Sequence, residues 1–176
     1  MGAADEVEPP HLAFLLEPGL TPAIVADRML AFYRESPFDP GRTDIFRRYF
    51  AALAEADGAT LVHCMAGKDR TGIVVALTHH ALGVARDDIL DDYLATNTAM
   101  PPEERLPGVL ATFEETHGRS VPPDVVLAVL RVRPAMLEAA LGEIAARAGS
   151  VDAYLSDTLG LTPAMREQLV ARLLED

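Results

Sequence analysis

The chain reads as an α/β domain, a small parallel sheet flanked by many helices, and three observations predict it. Ala59-Thr60-Leu61-Val62 is a short apolar run with β-branched members, the pattern of a buried strand. After a glycine-bearing loop, Ile73-Val74-Val75-Ala76-Leu77 opens a helix that Gly83 is suited to end. Elsewhere apolar residues recur at helical spacing between proline-marked breaks. The length of 176 residues suits one domain, 1–176, with room for a sizeable core.

Residues 1–10 form a polar lead that ends in Pro9-Pro10, and the apolar run from His11 to Leu16 is a strand or a loop. Thr21-Pro22 starts a helix, with a capping threonine and proline in the first turn. It continues to Glu35 with Val25, Met29 and Phe32 on one face. The break Ser36-Pro37-Phe38-Asp39-Pro40-Gly41 leads to a second helix, Arg42 to Asp57, with Ile45, Tyr49 and Leu53 inward. Gly58 ends it, and the strand into Cys64 begins. Beyond the loop helix, one helix runs from Arg86 through Ile89, Tyr93 and Leu94 to Asn97. Others open at Pro101-Pro102, Pro122-Pro123, Arg133-Pro134, Ser150 and Thr162-Pro163. Leu-Thr-Pro-Ala occurs at 20–23 and at 161–164, which is shared capping chemistry and not a repeat.

Between strand and loop helix lies His63-Cys64-Met65-Ala66-Gly67-Lys68-Asp69-Arg70-Thr71-Gly72. A cysteine at a strand end and an arginine six residues later at a helix start enclose a tight turn. Backbone N–H groups of Met65, Ala66, Gly67, Lys68, Asp69 and Arg70 then face one point, backed by a helix N-terminus. That is an anion-binding nest with the Cys64 sulfur on its floor. Inward N–H groups, the helix dipole and Arg70 all favour the thiolate, the form of a thiol that attacks. The planar fork of Arg70 suits two oxygens of a phosphoryl group. Thr71 is placed to hydrogen-bond the sulfur, and His63 to orient the loop through its backbone. Lys68, the chain's one lysine, adds a second cation at the rim.

HCMAGKDRTG between strand and helix resembles the phosphate loop of the cysteine-dependent phosphatases of the protein tyrosine phosphatase superfamily. Its GKDRTG ending is most similar to that of the atypical bacterial tyrosine/serine phosphatases, some of which act on phosphoinositides. Asp92-Tyr93-Leu94 with Asn97, and the run from Arg133 through Gly149, Tyr154-Leu155 and the last helix, extend the resemblance over roughly residues 21–176. It implies Cys64 as nucleophile, Arg70 as phosphate clamp, Lys68 as a substrate-phosphate contact and Asp69 as a candidate proton donor. Adjacency to Arg70 works against Asp69 as an acid, and a loop-fixing carboxylate is the equal alternative. The implied reaction is hydrolysis of a phosphate monoester through a phosphocysteine, with no metal and no cofactor. Phosphorylated protein and phosphoinositide are the implied substrates. Residues 98–132 would form a helical lid, or simply packing helices.

The family's longer N-terminal part, with an Asn-Phe-Arg-Asp-Leu-Gly-Gly-like motif, has no match here, so an N-terminally truncated domain is expected. A lone parallel strand needs neighbours for its backbone, and weaker segments or a partner are the other sources. The same gap leaves Asp39 and Asp44 as the upstream rivals of Asp69 for the acid. A binding-only pseudophosphatase is therefore the alternative from another class. Sulfur transfer and arsenate reduction use similar loops, but the arsenate route calls for further cysteines, and Cys64 is the only one.

Composition narrows the partners. A formal net charge of −12 argues against nucleic acid and anionic membrane. One cysteine excludes an internal disulfide framework and suits a reducing compartment, so a cytoplasmic location is expected. The opening shows neither a secretory signal nor a myristoylation pattern, and no apolar stretch approaches a membrane span. Asp91 and Asp92 read as solvated helix residues, and His79 and His80 as surface or packing residues, not as metal ligands.

Overall fold

A computed structural model describes residues 13–174. The element order is α1 (Pro22–Glu35), α2 (Pro40–Glu55), α3 (Asp69–Ala81), α4 (Arg86–Ala99), α5 (Pro102–His117), α6 (Pro123–Leu130), α7 (Pro134–Ala148), α8 (Val151–Ala153) and α9 (Pro163–Leu173). One 3₁₀ turn, Ala13–Leu16, precedes α1, and a π turn, Tyr154–Thr158, follows α8. Among the described residues no helix is long and apolar enough to cross a membrane.

The helix boundaries follow local chemistry. The Thr162 hydroxyl accepts from the Met165 N–H and caps α9, while Ser150 caps α8 through the Ala153 N–H. Asp39, not a residue at 42, caps α2, its carboxylate accepting from the Arg42 N–H at 2.9 Å. Proline stands in the first turn of α2, α5, α6, α7 and α9, where its missing N–H is no loss.

The expected parallel sheet is absent. Among the described residues there is no strand, so the architecture is helical and not α/β. Ala59–His63, read as the central strand, has no regular structure, and none of its backbone groups pairs with a backbone group of the described residues. Leu61 is 86% exposed. The apolar, β-branched run gives that segment strand propensity, but a strand exists only beside a second one that takes up its N–H and C=O groups. The other candidate strand forms the 3₁₀ turn Ala13–Leu16, and its first two residues, His11 and Leu12, lie outside the described residues. The expectation for residues 1–10 lies outside them as well.

Contacts divide the chain into two compact units. One holds residues up to Arg28 together with Met100–Arg131, including the packed pair α5 and α6. Within it the Arg28 guanidinium pairs with both Glu17 oxygens at 2.9 and 2.5 Å and stacks over Phe14. Arg131 pairs with Glu103.

The other unit, Met29–Ala99 with Val132–Asp176, carries the candidate site. Its centre is α3, where Ile73, Val74, Ala76, Leu77, Thr78 and Ala81 are all buried, on more than one face. A helix apolar on several sides must be surrounded, and α4, α7 and α8 pack on it. From them come Ile89, Tyr93, Leu137, Ala140 and Ile144, while Tyr154, Leu155 and Leu169 close the core. Asn97 fixes the end of α4 by bonding the Val132 backbone both ways, Nδ2–H to the carbonyl and Oδ1 from the N–H. In α2 the buried face is Phe46, Phe50, Leu53 and Ala54, one position on from the expected Ile45 and Tyr49. Ile45 is 54% exposed.

Candidate active site

Between Glu55 and Asp69 the chain leaves α2, crosses the irregular segment and enters α3 through a tight loop. Gly67 has φ +67°, a left-handed conformation that side chains with a Cβ rarely adopt, and it turns the loop toward the start of α3. The Gly72 N–H makes the first helical bond, to the Lys68 carbonyl at 2.9 Å. The N–H groups of Asp69, Arg70 and Thr71 therefore have no intrahelical acceptor and stand at the positive end of the helix dipole.

Thr71 joins the two ends of the loop. Its Oγ1 accepts from the Cys64 backbone N–H at 2.9 Å, leaving its own proton for the Cys64 sulfur. The Cys64 thiol is half-buried, and burial pushes its pKa up. The Thr71 hydroxyl, the N–H groups of Thr71 and Gly67, and the Arg70 charge outweigh that and bring it from 9.0 to about 7. His63 Nδ1 stands 3.1 Å from the Cys64 carbonyl; a carbonyl only accepts, so Nδ1 carries the hydrogen.

Cys64, Arg70, Thr71 and His63 line one cleft of about 90 Å³ with Arg42, Ile45, Phe46, Tyr49, Val62 and Val74. Arg70 has no carboxylate partner among the described residues, and neither has Arg42, which is stacked 4.7 Å over the Phe32 ring. Two arginines and a cysteine with a weakly held thiol proton thus line the cleft among apolar walls. Such an arrangement is chemically suited to hold an anion beside a nucleophile.

Five of the expected site residues, Met65, Ala66, Gly67, Lys68 and Asp69, are not among the residues that line the cleft. Lys68, expected at the rim, is 3% exposed and donates to Asp69 Oδ1 at 2.7 Å. Asp69 is 7% exposed and also accepts from the Tyr33 hydroxyl at 2.9 Å. Neither lines the cleft. The upstream aspartates do not line it either: Asp39 caps α2, and Asp44 pairs with Arg48 at 3.0 Å on the exposed face of α2. Met65 is largely exposed and Ala66 half-buried. The sequence does not single out Tyr33 or Arg42, and it offers Tyr93 only as a residue of its helix and as part of the family resemblance. Val25, Met29 and Tyr33 stand four apart, and that spacing was the signal for an inward Tyr33 in place of Phe32. Arg42 left no signal among the arginines of α2.

The lowered thiol pKa fixes a pH dependence. A group half-ionised near pH 7 reacts with iodoacetamide at a rate that levels off above that pH and falls about tenfold per unit below it. Alkylation of Cys64 followed by mass from pH 5 to 9 is expected to show that midpoint. Thr71→Val, which removes the hydroxyl donor, is expected to move it upward; a wild-type midpoint at the ordinary thiol value would contradict the geometry.

The family model described as the tyrosine phosphatase family matches residues 12–175. The Cupriavidus necator protein H16_A0669, which carries a tyrosine-protein phosphatase name, is 38% identical over 147 residues, covering 79% of this chain and 48% of its own. The triple specificity protein phosphatase PtpB of Mycobacterium tuberculosis is 35% identical over 150 residues, covering 81% and 53%. The chain thus spans about half the length of these curated relatives. Since the matched span contains the whole loop from His63 to Gly72, the chain belongs to the tyrosine phosphatase family.

Proposed function

We propose that the chain hydrolyses phosphate monoesters through a Cys64 phosphocysteine. The observation that carries this reading is the Cys64 thiol, lowered to about 7, in one cleft with an Arg70 that has no carboxylate partner among the described residues. The thiolate attacks phosphorus, an S–P bond forms, and the bond to the leaving oxygen breaks as that oxygen takes a proton from solvent water. Water then attacks the phosphocysteine, the S–P bond breaks, and inorganic phosphate and the thiolate are released. Arg70 and the free N–H groups of the loop carry the charge of the three equatorial oxygens in both steps. With that positive charge supplied by the protein, the reaction needs no metal. Phosphorylated protein is the substrate class that fits the family. A phosphoinositide is the wider choice, and with Lys68 turned inward Arg42 is the second cation of the cleft for a further phosphate.

A specific observation favours a second reading, a phosphate-binding pseudophosphatase: among the described residues no carboxylate lines the cleft to protonate the leaving group. Leaving groups separate the two. Hydrolysis of para-nitrophenyl phosphate in EDTA is expected to proceed, because that leaving group needs little protonation, while an alkyl phosphate is turned over far more slowly. A folded chain inactive on both would favour the binder.

A further inference from the structure

We propose that Tyr33 is a positioning residue for the phosphate loop, and that Asp69 serves as the buried anchor through which it acts, not as the proton donor. The inference rests on the reading of the loop as a phosphatase site and assigns residues to it.

The buried polar groups next to the cleft form one chain of hydrogen bonds. Lys68 Nζ and the Tyr33 hydroxyl both donate to Asp69 Oδ1, at 2.7 and 2.9 Å. The Tyr33 and Tyr93 hydroxyl oxygens are 2.7 Å apart. Tyr33 has one proton and gives it to the carboxylate, so Tyr93 donates to Tyr33. Tyr33 is wholly buried and Tyr93 nearly so. Burial first, and then the charge of Asp69, push the Tyr33 pKa far up, so the hydroxyl stays a donor throughout the working range.

A second contact acts on the same turn of α3. A Cβ at Gly72 would stand 2.8 Å from two ring carbons of Tyr93, so that ring lies against the backbone of Gly72. Both tyrosines therefore bear on the first turn of α3, one through Asp69 and one through Gly72.

What is held is the geometry around the sulfur. Gly67 and Thr71 supply the N–H groups that bond Cys64, and Arg70 supplies the charge. Lys68 and Asp69, the residues between Gly67 and Arg70, have their side chains in the interior and fixed. An acid must reach the leaving oxygen, whereas Asp69 is absent from the cleft lining and both recorded contacts to its Oδ1 come from donors. A loop anchored this way keeps its donors aimed without any reorganisation when phosphate arrives.

The test is Tyr33→Phe and Asp69→Asn, singly and together, in the full chain. Both single variants are expected to lower kcat on para-nitrophenyl phosphate by about ten- to a hundredfold through misplaced donors. The loss should be the same across aryl phosphates of different leaving-group pKa, and the double variant should lose little more than either single. The Cys64 alkylation midpoint should rise in both. Were Asp69 the proton donor, its loss would grow with leaving-group pKa and Tyr33→Phe would not reproduce it; that result overturns the proposal. So does a Tyr33→Phe that lowers the melting temperature yet leaves kcat, KM and the alkylation midpoint untouched. Should Asp69→Asn fail to fold, Tyr33→Phe decides alone. Wild-type inactivity would count against the phosphatase reading, while the alkylation midpoint of Tyr33→Phe would still decide the anchor.

Discussion

Cys64→Ser is expected to lose para-nitrophenyl phosphate turnover by about 10⁴-fold or more, the loss seen when a covalent nucleophile is removed. Serine keeps the shape, and the Thr71 Oγ1 still accepts the residue-64 N–H, so the loop should hold its form. What changes is the proton. The Cys64 thiol is half-ionised near pH 7, whereas a serine hydroxyl needs a base beside it. Among the cleft residues there is no carboxylate, and His63 Nδ1 is engaged with the carbonyl of residue 64. The measurement is kcat in EDTA, with melting temperature in rising inorganic phosphate as the control. An inactive variant whose melting temperature still climbs with phosphate has lost the nucleophile and kept the pocket. A variant retaining a tenth of the activity would rule out a covalent route through Cys64.

Local chemistry was legible in this sequence, and pairing partners were not. Thr21, Ser150 and Thr162 announced helix starts, and Gly83, left-handed at φ +82° just past α3, announced a stop. Each of those signals acts within a few residues of itself. Ala59–His63 failed because a strand is a relation between segments, and nothing in that run states whether a neighbour exists. The two faces of α2 were misjudged for a related reason. Ile45 and Phe46 are both apolar, and only the packed surroundings decide that Phe46 is buried while Ile45 borders the cleft. In the loop, residue types pointed to Cys64, Arg70 and Thr71 because their chemistry is local. Lys68 and Asp69 sit in the same ten residues, yet both turn inward, where Asp69 accepts from Lys68 and from Tyr33, 36 positions before Asp69. A charged pair in a loop reads as exposed until a buried hydroxyl is found to receive it.

Arg70→Lys separates charge from shape, and a loss of about 10²- to 10³-fold in kcat is expected from it. Both side chains are cations, so the thiol midpoint near pH 7 should move little on this change. Arg70→Met, which removes the charge, is expected to raise it, because the positive charge is one of the causes that lower it. The kinetic loss comes instead from the fork. A guanidinium meets two phosphoryl oxygens with two parallel N–H bonds and holds its plane, whereas an ammonium on a flexible stem meets them as a point charge. In a chain of net charge −12 the surrounding field opposes an incoming phosphate, so the cleft's two arginines, which have no carboxylate partner among the described residues, carry the local attraction. Lysine at position 70 keeps that attraction and loses the alignment, and kcat should therefore fall much more than KM rises. Alkylation midpoints and steady-state constants for the two variants, measured side by side, check this. If Arg70→Lys kept near wild-type kcat, charge alone would suffice, and the fork would have no part in holding the transferring phosphoryl group.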